Sequence, residues 1–266
     1  RYAITLARSS VEPFLQFSAR RDLREEAWKA WIKRGENGGK TDNRTIVVRM
    51  MGLRSELARL LGYETYAAYV LDDTMAKTPE AVRKLLDKVW PAALRSARLE
   101  RDALEKQARA EGGNFKIAAW DWRYYAEKER KARYALDEAE VRSYLTLDNM
   151  LMAAFDTAGR LFGIVFEPRP DIPVYHPDVT AWEVKTKGGE HVGLFFGDYI
   201  ARPSKRSGAW MSSYRGQHKL GGSVRPIVVN VMSVPRGAPG TPTLLSFDDA
   251  RTLFHELGHG LHGLLS

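Results

Sequence analysis

Two histidines four residues apart, with a glutamate directly after the first, form the segment of this chain best suited to chemistry: His255-Glu256-Leu257-Gly258-His259. In a helix, positions i and i+4 stand one above the other, so both imidazoles can close on one tetrahedral zinc ion at about 2.0–2.1 Å. Glu256 projects to the side of such an ion, placed to take a proton from an activated water and to return it to a leaving amine. The ion lowers the pKa of that water to about 7 and polarises the scissile carbonyl. This is the chemistry of metal-assisted peptide hydrolysis. Five residues of this kind also arise by chance, and the plain alternative is a polar helical face bearing two surface histidines.

The flanking residues supply the element that must hold them. Ser246 followed by Asp249 resembles a capping box, and Asp248 and Asp249 suit a first helical turn. Ala250, Leu253, Phe254, Leu257, Leu261 and Leu264 then fall on one stripe at about 100° per residue. His255, His259 and His262 lie on the opposite side, so a helix buried on its stripe presents them to a cleft. Gly258, Gly260 and Gly263 each cost roughly 1 kcal/mol against alanine inside a helix. Their presence points to a backbone that another element or a substrate approaches closely. His262 shares the histidine face but lies about 4.5 Å further along the axis, which favours supporting hydrogen bonds over ligation. The longer motif with a third histidine ligand fails, because position 265 is leucine. A third ligand is therefore expected from an Asp or Glu on another element, most naturally one downstream.

Around this helix the chain divides by composition. Residues 1–163 read as a helical region. Helical spacing covers Trp28, Trp31 and Ile32, then Leu53, Leu57, Leu60 and Leu61. Thr78-Pro79-Glu80 opens a helix running to about Gly112, with a kink or break expected near Pro91. Two more helices are expected over 121–134 and 147–162. Residues 164–266 read as a small β-sheet followed by the His-Glu-x-x-His helix. Val192–Ile200 and Pro226–Val234 are the strand candidates, and Ser204–Ser223 reads as a long loop between them. Both regions are expected to be parts of one larger catalytic domain. The missing initiator methionine and the unfinished apolar helix at Leu264-Leu265-Ser266 point to a piece of a longer polypeptide.

Composition narrows the function classes. With 266 residues, 44% of them hydrophobic, the chain can bury a core, and no run approaches the length of a membrane span. It has no cysteine, which excludes disulfides and thiolate metal sites. That fits a cytoplasmic protein and leaves a periplasmic one open. The net charge of +8 invites a nucleic-acid reading. Its basic residues, however, are interleaved with acids on helical faces, as in Arg98, Glu100, Arg101, Asp102, Glu105 and Lys106, which marks solvated helices rather than a binding stripe.

Other segments carry a family resemblance. The stretch Phe254–His262, together with Trp120-Asp121-Trp122, Asp171–Val179 (DIPVYHPDV) and Gly208-Ala209-Trp210-Met211, resembles the thimet oligopeptidase (M3) family of zinc metallopeptidases. Within it the Trp-Asp-Trp and DIPVYHPDV forms are most similar to the bacterial peptidyl-dipeptidases, with the oligopeptidases as the near alternative. The resemblance implies a mainly α, two-lobed shell around a deep channel, with a small β-sheet beside the zinc helix that offers substrate an edge strand. It implies His255 and His259 as zinc ligands and Glu256 as general base and acid. It also implies a third ligand from the remainder of the polypeptide, and short peptides as substrates that lose C-terminal dipeptides. Asp198, Tyr199, Arg202 and Trp210 either shape the channel or serve as sheet support and core. His176, between prolines, reads as structural. The competing readings are an endo-acting oligopeptidase and an inactive fragment or helical binding module.

Overall fold

A computed structural model describes residues 3–135 and 137–266; Arg1 and Tyr2, at the start of the chain, lie outside them. The helices are α1 (Arg8–Phe17), α2 (Arg21–Ile32), α3 (Arg44–Leu60), α4 (Tyr66–Leu71), α5 (Pro79–Ala110), α6 (Ala119–Tyr134), α7 (Glu138–Tyr144) and α8 (Leu147–Phe162). The strands β1 (Ile164–Pro168), β2 (Thr180–Thr186), β3 (His191–Ile200), β4 (Trp210–Arg215) and β5 (Ile227–Val234) follow, and α9 (Phe247–Leu265) closes the order. The chain is mainly α with one small sheet, as its patterning predicts. Among the described residues no helix is long and apolar enough to cross a membrane.

Local chemistry sets the helix ends. The Thr78 hydroxyl accepts from the Ala81 amide and Pro79 takes the first helical position. The helix then runs unbroken through Pro91, so the break expected there does not occur. A proline removes one N–H and crowds the preceding turn, a cost of about 3 kcal/mol; the hydrogen-bond ladder on either side, in a helix of 32 residues, outweighs it. Helix α8 is capped by Thr146 and ends on Gly163, whose φ of 69° is a left-handed C-cap.

The fold divides into two compact units, one built on Val11–Arg133 and one on Tyr134–Ser266. In the first, Asp121 of the Trp-Asp-Trp segment is fully buried and pairs with Arg24 at 3.0 Å and Arg21 at 2.8 Å. Arg24 also stacks on Tyr124 and Arg21 on Phe115, so the buried carboxylate is paired and hydrogen-bonded, the condition under which a buried charge is tolerated.

The second unit carries the sheet, in the order β1-β2-β3-β5-β4. Only β3 and β5 run parallel; the other neighbours are antiparallel, and β4 is an edge strand. Strand β4 lies inside the stretch read from sequence as loop, which corrects that expectation: Trp210–Arg215 pairs with β5 from Val231 back to Ile227. One face of the sheet, including Trp182, Phe195, Val228 and Met232, packs with α8 and α9 around Ala154, Leu253, Leu257 and Leu264. The other face, with Ala181, Phe196, Val229 and Val231, is covered by Ile172 and Val179 of the proline-rich segment before β2.

Candidate active site

The His-Glu-x-x-His segment lies within α9, whose start is the predicted capping box. The Ser246 hydroxyl accepts from the Asp249 amide at 3.0 Å, and the Asp249 carboxylate accepts from the Ser246 amide at 3.0 Å. Ala250, Leu253, Leu257 and Leu264 of the predicted stripe are buried. Each buried leucine contributes about 1.5–3 kcal/mol, so the three together outweigh the roughly 3 kcal/mol that three helical glycines cost.

The stripe is not quite where the apolar side chains alone would put it. Phe254 is 39% exposed, whereas Glu256 and Gly260 are buried. The glycines account for the difference. A side chain at Gly260 would meet Asn230 Oδ1 at 3.2 Å and Phe195 at 3.3 Å, and one at Gly263 would meet Met211 and, at 3.2 Å, Val228. Two glycines thus let β4 and β5 come in on one flank of the helix, and Glu256, on that flank, is drawn into the buried face. Gly258 meets nothing within 4 Å, so a close approach from within the chain explains only two of the three.

His255 and His259 stay exposed, with ring centroids 4.8 Å apart and Nε2 atoms 3.1 Å apart. Tetrahedral zinc with Zn–N distances of about 2.0–2.1 Å keeps two nitrogens about 3.3 Å apart. The pair therefore fits as two of a zinc ion's ligands, and neutral imidazole is the right donor type. Among the described residues no group of three or more His, Asp or Glu side chains converges, so none of them joins the pair as a third ligand. Glu256 stands beside the pair at 7% exposure. His262 points along another path: it lines an apolar groove of about 550 Å³ between α8 and α9 with Phe254, Leu261 and Ala158.

The remaining sequence candidates fall into structural positions. Asp198 is 2% exposed and accepts from both Arg202 amino groups (2.6 and 2.7 Å), from Lys205 and from the Tyr175 hydroxyl. Burial pushes its pKa up, but the hydrogen bonds from Arg202, Lys205 and Tyr175 prevail and hold it at about 2. Lys205 also donates to the Asp198, Ile200 and Met232 carbonyls, which ties the ends of β3 and β5 together just before the chain turns toward β4. Nothing in the sequence around Lys205, Pro203-Ser204-Lys205-Arg206-Ser207, marks it as buried. Tyr199 is core, and burial raises its pKa. Trp210 packs on the outer sheet face. The His176 ring accepts from the Asp178 amide at 3.2 Å and shapes the turn before β2.

Helix and sheet together define a class: a mainly helical protein that presents a His-Glu-x-x-His helix over a small mixed sheet, as metallopeptidases do. The profile of peptidase family M3 matches residues 14–266, and the chain belongs to that family. Among its relatives, dipeptidyl carboxypeptidase of Salmonella typhimurium is 41% identical over 267 residues, covering 100% of this chain and 39% of the relative. The Escherichia coli dipeptidyl carboxypeptidase is 40% identical over the same span. Oligopeptidase A of Escherichia coli is 35% identical over 271 residues, covering 100% of this chain and 40% of the relative. The chain thus spans about 39% of the length of the first of these relatives.

Proposed function

We propose that the polypeptide carrying this chain is a zinc-dependent peptidyl-dipeptidase that releases dipeptides from the C-termini of short peptides. The observation that carries the reading is the exposed His255–His259 pair, its Nε2 atoms 3.1 Å apart, with the buried Glu256 beside it on a capped helix. His255 and His259 would hold the zinc through Nε2, and the remainder of the polypeptide would supply the third ligand. Zinc bound there supplies Lewis acidity, which makes water a nucleophile near neutral pH and polarises the peptide carbonyl. The Glu256 carboxylate takes the proton from the attacking water and delivers it to the leaving amine nitrogen as the peptide bond breaks. Glu256 is 7% exposed on the face of α9 that packs on the sheet, and a side chain restricted in this way loses less freedom on reaching the transition state.

The choice of a dipeptide-releasing enzyme is supported by the greater identity to the dipeptidyl carboxypeptidases than to oligopeptidase A, 41% against 35%. Glu256→Gln tests the mechanism: kcat should fall about 10²–10⁴-fold, and activity within about tenfold of wild type would remove Glu256 from the role. Mass spectrometry of the products from a ten-residue peptide tests the cleavage pattern. Successive losses of two residues from the C-terminus are expected, whereas internal fragments would assign an endo-acting oligopeptidase.

A further inference from the structure

Asn230 sits on β5 at 1% exposure, and its Oδ1 has no hydrogen-bond partner among the described residues. Alternation along the strand puts it on the side of Val228 and Met232, the side packed with α9. Its Oδ1 stands only 3.2 Å from where a Cβ at Gly260 would lie. Glu256 precedes Gly260 by four residues, one turn along the same face of the helix, and is itself buried. A buried acceptor with no donor is costly, so Oδ1 adds no stability through hydrogen bonding among the described residues. Since Oδ1 accepts no hydrogen bond from the helix among the described residues, the amide meets α9 through its bulk.

We infer that Asn230 is a positioning residue for Glu256: its amide bears on Gly260 and sets the depth at which α9 rests on the sheet. The inference depends on the proposed function, since it needs Glu256 to transfer a proton. Removing the amide lets α9 settle toward β5, and a methyl at Gly260 pushes it away. Either change moves Glu256 relative to a bound peptide, and misplacement of about 1 Å at a reacting group costs up to about 10²-fold in rate. The His255–His259 pair moves with its own helix, so the separation within it is kept.

The test uses Asn230→Ala, Gly260→Ala, the double variant and Asn230→Leu, each in the complete polypeptide. The readouts are kcat, KM, thermal midpoint and zinc affinity by competition with a chelator. Each alanine substitution alone should lower kcat about tenfold or more, with KM within about threefold. The double variant should lose no more than the worse single one, because the added methyl then occupies vacated space. Asn230→Leu keeps the volume and should retain kcat within about threefold. It also covers the case in which Asn230→Ala fails to fold. An active wild type with Asn230→Ala within twofold of it, losses that multiply in the double variant, or a loss in Asn230→Leu as deep as in Asn230→Ala overturns the positioning role alone. A wild type that neither holds zinc nor cleaves peptides overturns the functional reading and this role with it.

Discussion

Replacing Asp198 by asparagine should destabilise the sheet-bearing unit by an amount that depends on pH in a defined way. The carboxyl drops from an ordinary 3.8 to about 2 in the folded chain, a difference worth about 2 kcal/mol at neutral pH. A depressed carboxyl stabilises above its unfolded pKa, and the contribution is lost as pH falls through the folded one. The cations left behind add to the loss. Lys205 is 6% exposed and Arg202 14%, and buried charges without a partner are strongly destabilising. The Lys205 pKa is itself lowered, because burial outweighs its attraction to Asp198; the pair is therefore not a symmetric gain, and the loss is placed at about 2–4 kcal/mol. Urea unfolding of wild type and variant, followed by tryptophan fluorescence from pH 6 to pH 2.5, measures it. The gap should be about 2–4 kcal/mol at pH 6 and shrink by about 1.5 kcal/mol at pH 2.5, as most of the titrating part disappears. A gap under about 0.5 kcal/mol at pH 6, or one that does not change with pH, would refute the reasoning.

Two further stability predictions rest on equally specific contacts. Ser246→Ala removes one half of the α9 capping box and should cost about 1 kcal/mol, read as a drop of a few degrees in thermal midpoint; an unchanged midpoint would show that the cap contributes nothing. Asp121→Ala strands the Arg24 side chain, 1% exposed, and should cost about 3–5 kcal/mol in chemical denaturation, well above the 0–1 kcal/mol of a surface pair.

How far the site can be read from sequence depends on what carries each feature. The cap at Ser246 and the pairing of His255 with His259 follow from spacing along one helix, and α9 has both. The long strands β3 and β5 are visible because Phe195, Phe196, Val228 and Val229 are buried on both sheet faces and read as continuous apolar runs. Edge strand β4 is not, since Ser212, Ser213, Tyr214 and Arg215 are exposed and look like loop residues. The burial of Glu256 is also hidden. An apolar stripe is counted from side chains, whereas the face that takes in Glu256 is opened by Gly260 and Gly263, which have none. Similarly, the Asp198–Lys205 tie becomes apparent only when β3 and β5 lie side by side, because Met232, one of the Lys205 acceptors, is distant in sequence.

The central claim, that His255 and His259 hold one zinc ion, is tested most directly by metal analysis of the complete polypeptide beside its His255→Ala and His259→Ala variants. The account predicts one zinc per wild-type chain at neutral pH and an affinity at least about tenfold lower in each variant. Wild-type protein without zinc, or variants that bind it as tightly as wild type, would contradict the assignment.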